Sequence, residues 1–440
     1  MSKMPSNIVN EHLYERTRTF AESAMLLLGS FFKRGERIDE EIAEVHKIIS
    51  PGGWSKDYRP KPRYWLFINR HERDIQAVPE FSAWLEAMRA DESITKHLDN
   101  IVSTVQGGIR RTAWEYAAHL LVKQFSAEPT SFEFDANAFD RCYLEMERFF
   151  FQDVIEFRAF SPLQNFSADV EVIDLGGGLR IRKIVDQELE ELLDASALGS
   201  TIPFGEIPNY RYAMEAEYEL QKLFRELKVE DLKATPDQEF FGKLVTALRL
   251  FKPGTLGFNI VKTIPVADTP GVFGGTRSAW EYKRFWGPKY SLTGGDVEAF
   301  KEFWNGFRKV DLGQQAAMGV AIRRFNFAYE RLGLEDKLID LMIGFEALFF
   351  KSGEFGENRH KLALRVARLL SEDYETRKRI AKEVAAFYDT RNLVVHGELV
   401  TLKPEFITKI EDVLRDSIKY FLGRPRSMDH DEIISRLDLS

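Results

Sequence analysis

From about residue 312 to the C-terminus the chain runs through five successive segments: "GQQAAMGVAIRRFNFAYERL", "EDKLIDLMIGFEALFF", "ENRHKLALRVARLL", "YETRKRIAKEVAAFYDTRNLVVHG" and "PEFITKIEDVLRDSIKYFLG". In each, apolar residues recur at three and four positions, the period of a helix with one buried stripe. A stripe of that width needs a facing surface, so five of them in a row close as a helical bundle. The second segment is apolar enough to be central, with Leu338, Leu341, Met342, Phe345, Leu348 and Phe349 on its packed side. Glu346 sits among them, an expensive place for a carboxylate unless a partner meets it.

Upstream the pattern is mixed. The stretches "IDEEIAEVHKII", "VPEFSAWLEAMRA" and "AWEYAAHLLVKQF" have helical spacing, whereas "RYWLFINR" at 63–70, short, aromatic and preceded by prolines, predicts a strand. Residues 168–184 alternate on both sides of a triple glycine, which predicts a β-hairpin rather than a phosphate-cradling loop. Residues 210–230 suit strand and helix equally. Between 252 and 295 prolines and glycines crowd into loops joining short strands, and Asp296 is placed to cap the helix "VEAFKEFWNGF". The near-repeat of "GGIRRTAWEY" at 107–116 as "GGTRSAWEY" at 274–282 has dissimilar flanks and reads as coincidence. The expected class is α+β: a helix-rich N-terminal region (1–160), a mixed middle region (161–311) able to join the first in one domain, and an all-α bundle (312–440).

At 440 residues and 44% hydrophobic content the chain can bury two or three cores. A single cysteine, Cys142, excludes an internal disulfide framework and a zinc site built on cysteine pairs, and a reducing cytoplasm is the expected compartment. The longest N-terminal apolar run, "AMLLLGSFF", is far short of the roughly 20 residues that span a bilayer, so no membrane partner is expected. A formal charge of −8 argues against a non-specific nucleic-acid coat, so a nucleic-acid ligand needs a local site. Zinc-protease, P-loop and nucleophile-elbow motifs are absent from the sequence.

The fourth bundle segment ends in "FYDTRNLVVHGELV", residues 387–400. Together with "RRF", "EDKLIDLMIGFEALF" and "KLALRVARLL" before it, this order resembles the Apea-like branch of the HEPN superfamily over roughly residues 312–424. HEPN ribonucleases carry an arginine, a polar Asn, Asp or His, three residues and a histidine; Arg391, Asn392 and His396 match without a gap. The resemblance implies a helical bundle, usually dimerised with the two motifs facing each other, and metal-independent, cofactor-free RNA cleavage. Many members are toxins or effectors of phage defence, which implies a phage-derived trigger or a neutralising partner. Others are inactive and serve dimerisation or nucleotide or RNA binding.

Read on their own, Asn392 and His396 lie one turn apart on one helical face, while Arg391 and His396 are about 140° apart. One straight helix cannot aim both at one phosphate. Either the helix loosens near Gly397, or a second copy supplies the missing group. Histidine titrates near neutrality and can act as base or acid, arginine matches phosphate geometry, and Asn392 can orient the imidazole or the substrate. The alternative is structural: His396 and Gly397 end a helix, and Arg391 pairs with a surface acid such as Asp389 or Glu398. Glu346 can serve equally as a structural ion-pair member or as the support that fixes Arg391. Between 359 and 382 eight bases face three acids, so Arg359, Lys361, Arg365 and Arg368 are candidates for an RNA-facing patch.

Overall fold

The computed structural model describes residues 5, 7–50, 53–98, 100–104, 107–125, 132–197, 207–226, 228, 235–267, 275–278, 283–285, 287–311, 315–351, 353–354, 356–424 and 429–439. The fold is mixed α+β with a helical C-terminal region.

The N-terminal part opens with α1 (Glu11–Lys33), capped by Asn10, whose side chain accepts from the Leu13 amide at 2.9 Å. Next come strands β1 (Glu40–Ser50) and β2 (Gly53–Pro62), then α2 (Tyr64–Arg70), α3 (Glu72–Gln76), α4 (Pro79–Ala90) and α5 (Glu92–Thr95). A short hairpin, β3 (Ile101–Thr104) and β4 (Gly107–Arg110), leads into α6 (Ala113–Lys123) and α7 (Ala136–Phe151). Two expectations are corrected here. The helix anticipated over "IDEEIAEVHKII" is the strand β1, paired antiparallel with β2. Its β-branched residues and the Pro-Gly-Gly that follows favour a hairpin, and alternate residues His46 and Ile48 turn inward. The strand anticipated over "RYWLFINR" is the helix α2, because Tyr64, Phe67 and Ile68 share a helical face against α6 and Phe125; Trp114 Nε1 donates to Asn69 Oδ1 at 2.8 Å.

The middle part supplies β5 (Val154–Leu163), β6 (Phe166–Ala168), β7 (Val172–Gly176), β8 (Leu179–Lys183), α8 (Asp186–Ala197), β9 (Tyr212–Gln221), α9 (Gln238–Phe251), β10 (Ile260–Pro265), β11 (Gly275–Ser278), β12 (Tyr290–Leu292) and α10 (Val297–Phe307). Six strands form one antiparallel sheet in the order β11-β10-β5-β9-β8-β7, and β6 pairs parallel with β12. The triple glycine is the β7–β8 turn, with all three φ angles positive, at 81°, 63° and 76°. The ambiguous stretch after 210 is strand β9 as far as Gln221. Asp296 is the N-cap residue of α10, as expected, but its side chain caps the preceding 3-10 turn at 294–296 instead: with Thr293 it forms that turn's capping box, Asp296 Oδ2 accepting from the Thr293 amide at 2.8 Å. Of the second near-repeat copy, residues 274 and 279–282 lie outside the described residues.

The C-terminal bundle contains α11 (Ala316–Glu330), α12 (Leu334–Phe349), α13 (Asn358–Leu370), α14 (Tyr374–Val395), α15 (Pro404–Leu422) and a further helix, α16 (His430–Leu439), which buries Ile433, Ile434 and Leu437. One hydrophobic core runs from the sheet (Ile181, Met214) through α9 (Phe241, Leu248) and α10 (Phe300, Trp304) into α12 and α15 (Phe345, Leu414). The expected boundary at 311/312 therefore does not separate two cores. The N-terminal helices build a second core that reaches the sheet at Ile155, Phe157 and Leu220. Among the described residues no helix is long and apolar enough to cross a membrane.

Candidate functional site

The Arg391–Asn392–His396 motif occupies the last turn and cap of α14. That helix starts at Asp373, which accepts from the Thr376 amide at 2.8 Å, and buries only Val384 and Phe387 along its 22 residues. Its end is a Schellman closure. The Glu398 amide donates to the Leu393 carbonyl at 2.9 Å, the Gly397 amide to the Val394 carbonyl at 3.0 Å, and Gly397 takes φ +79°. Helical bonding persists to the motif's last residue, since the His396 amide donates to the Asn392 carbonyl at 3.0 Å. The helix does not loosen before His396, so one chain leaves Arg391 and His396 on different faces.

Arg391 is half-buried between α14 and α12. Its Nη2 lies 3.6 Å from Glu346 Oε1, an ion pair rather than a hydrogen bond, and its Nη1 donates to Asn392 Oδ1 at 3.2 Å. The guanidinium also sits 5.8 Å from the Tyr388 ring centre, a neighbour the motif pattern does not identify. Its buried Nε has no hydrogen-bond partner among the described residues. Arg391 is thus oriented by Glu346, Asn392 and Tyr388 while keeping donors for a further acceptor. Burial pushes the Glu346 carboxyl up from its ordinary value and Arg391 opposes that shift. The structure brings Glu346, Arg391 and Asn392 together. Arg391 pairs with neither Asp389 nor Glu398.

His396 is exposed, and its imidazole makes no hydrogen bond among the described residues. It lies on a stripe of α14 formed by Lys378, Lys382, Ala386, Asp389, Leu393 and His396, all exposed. Beside it apolar side chains face outward: Val395 is 51% and Leu399 104% exposed.

The basic patch is corrected. Arg365 is 3% exposed and locked inside the bundle, with Glu354 and Asp438 each engaged twice at 2.7–2.8 Å and the Phe349 carbonyl at 2.7 Å. Arg368 donates to the carbonyls of Leu437 and Asp438, closing the end of α16. Arg359 is clamped by Asp389 at 2.6 and 2.7 Å, and Lys361 lies 3.1 Å from Glu354. The acids that take up these charges lie outside the 359–382 window, which is why the local count overstated the patch. The exposed bases nearest the motif on this helix are Lys378, Arg379 and Lys382.

Among the described residues, no group of three His, Cys, Asp or Glu side chains is arranged to hold a metal ion. Compared with known protein families, curated proteins and solved structures, the chain matches none.

Proposed function

We propose that the C-terminal bundle is a HEPN-type endoribonuclease that acts as a homodimer on RNA, as a toxin or phage-defence effector, with the remainder of the chain sensing or restraining it. The observation that carries this reading is Arg391, held by Glu346 and Asn392 with Nη donors left over, five residues before an exposed histidine at the end of an under-buried helix. A second copy of α14 brought against the first supplies two arginines and two histidines to one phosphate. One imidazole takes the 2′-hydroxyl proton as that oxygen attacks phosphorus. The other protonates the departing 5′-oxygen, and the arginines neutralise the charge on the phosphoryl oxygens. The products are a 2′,3′-cyclic phosphate and a 5′-hydroxyl. Purified protein incubated with total RNA in excess chelator tests the reading; persistent inertness returns it to a non-catalytic dimerisation or nucleotide-binding module.

Two expected outcomes follow from the geometry. The apolar residues facing outward around the motif need cover, so the protein should sediment as a dimer at micromolar concentration. Leu393→Asp, which two-fold symmetry places in the interface twice, should shift it to monomer and remove cleavage together. A monomer that cuts at the wild-type rate overturns the pairing. Arg391→Lys keeps the charge and loses the planar fork. It should reduce cleavage at least about tenfold while RNA affinity in the same salt stays nearly constant; full activity of the lysine variant would mean that charge alone matters.

A further inference from the structure

Away from the α14 motif, α9, α10 and α11 wall an open cleft of about 950 Å³, within the range of small-molecule sites. At its base lies Arg249 of α9, 3% exposed. Nε and Nη2 donate to the Leu256 carbonyl at 3.1 and 2.8 Å, and Nη1 donates to Asn326 Oδ1 at 2.9 Å. Asn326 is fixed as that acceptor because its own Nδ2 donates to Thr246 Oγ1 at 2.8 Å. Three of the five guanidinium N–H groups are thereby used, and no carboxylate lies within ion-pair distance of Arg249 among the described residues. Burial lowers the Arg249 pKa to about 10, which still leaves it charged at neutral pH. Glu330 and Glu411 compensate it only through space, and the rings of Tyr329 and Phe285 lie 4.5 and 5.5 Å from its guanidinium, so an anion entering the cleft would add the close counter-charge that Arg249 lacks.

The rim has the same sign. Lys243, Lys283, Arg308, Lys309 and Arg323 line the cleft with Arg249, against three acids, one of which, Glu330, is held by Lys283 at 2.6 Å. Such a concentration of positive charge stands out in a chain of formal charge −8. The remaining wall includes aromatic faces, among them Phe258 and the 36% exposed Phe327. Gly242 on α9 also lines the cleft, and a Cβ there would meet nothing within 4 Å. Glycine inside a helix costs about 0.5–1 kcal/mol relative to alanine, and packing does not require it here. Its effect is to keep the cleft wide.

We propose that this cleft binds a nucleoside triphosphate, whose phosphates neutralise Arg249 and the rim arginines and whose base stacks on the phenylalanine wall. Planar guanidinium groups match phosphate oxygens, and an exposed aromatic ring accepts any base. The site and its test are independent of RNA cleavage.

Full-length protein titrated calorimetrically with ATP, GTP, CTP and UTP, with the parent nucleosides and with tripolyphosphate tests it. At least one triphosphate should bind with a dissociation constant in the micromolar range and raise the melting temperature by about 3 °C at a hundredfold excess over that constant. The corresponding nucleoside and tripolyphosphate should each bind at least tenfold more weakly, since each supplies half of the recognition. Arg308→Glu combined with Arg323→Glu, both exposed positions, should weaken binding at least tenfold with the unliganded melting temperature unchanged. Gly242→Leu should keep the fold and block the cleft. No heat from any of the four triphosphates at millimolar concentration overturns the proposal. So does affinity unaltered in both variants, or displacement of the nucleotide only by a 5′-triphosphorylated RNA, which would reassign the cleft to RNA ends.

Discussion

Replacing His396 with alanine should remove RNA cleavage by a factor of about 10² to 10⁴, the usual contribution of one positioned proton-transfer group, while the fold survives nearly intact. The imidazole is exposed and without hydrogen-bond partners among the described residues, and the bonds that close α14 come from backbone amides that alanine keeps. The only interaction forfeited is that of a cation with the helix end, about 0.3–1 kcal/mol when the imidazole is charged, so the melting temperature should move by at most a few degrees. Gly397→Val is the contrasting change. It forces a β-branched residue to φ +79° and should destabilise the helix end without deleting a proton carrier. Cleavage of a defined oligoribonucleotide and of its all-deoxy counterpart, in chelator, measures the effect. Wild-type rates for His396→Ala, or cutting of the deoxy strand at a comparable rate, would remove the histidine or the 2′-hydroxyl from the mechanism.

The long helices of the bundle are legible in the sequence because each repeats its apolar stripe over three or more turns, enough to exclude a two-residue period. Short segments lack that redundancy. In "IDEEIAEVHKII" the residues Ile42, Val45 and Ile49 satisfy a helical stripe, while Ile42, Glu44, His46 and Ile48 satisfy alternation. Long-range contacts decide between them: the His46 amide and imidazole meet Asp194, and the Ile48 amide donates to Glu190, both acids being on α8. "RYWLFINR" is ambiguous for the same reason and is settled by Trp114 and Phe125, about fifty residues away. In the candidate site the residue types of the motif and the isolation of Glu346 could be read directly, because a carboxylate within an apolar helix signals a partner. The fate of the basic patch could not. Arg365 and Arg368 look solvent-facing in a local count, and the groups that take them inward, Asp438 and the last carbonyls of α16, come from the far end of the chain. The triphosphate cleft is likewise gathered from residues between 238 and 330 with no contiguous pattern to mark it.

Arg365→Ala should be among the most destabilising single changes in the bundle. Its guanidinium joins the loop before α13, through Glu354, to the C-terminal helix, through Asp438, and satisfies the last carbonyl turn of α12 at Phe349. Removing one member of a buried ionic cluster leaves the others desolvated, at a cost of about 3–5 kcal/mol, or about 3–5 °C in melting temperature for a chain of this length. The effect should depend on pH in a defined direction. Arg365, assisted by the Lys351 amide and Lys361, holds the Glu354 carboxyl down at about 2, against an ordinary value of 4.5. A carboxylate with a depressed folded pKa contributes stability that is present above its unfolded pKa and lost as pH falls through the folded one. The wild-type protein should therefore lose stability progressively between about pH 4.5 and 2 through this group, and Arg365→Ala should flatten that acid limb because Glu354 returns towards its ordinary value. Thermal melts followed by circular dichroism from pH 2.5 to 7 read both effects. A variant that melts within a degree of wild type, with the same acid limb, would mean that Arg365 faces solvent and would restore it to the RNA-facing patch.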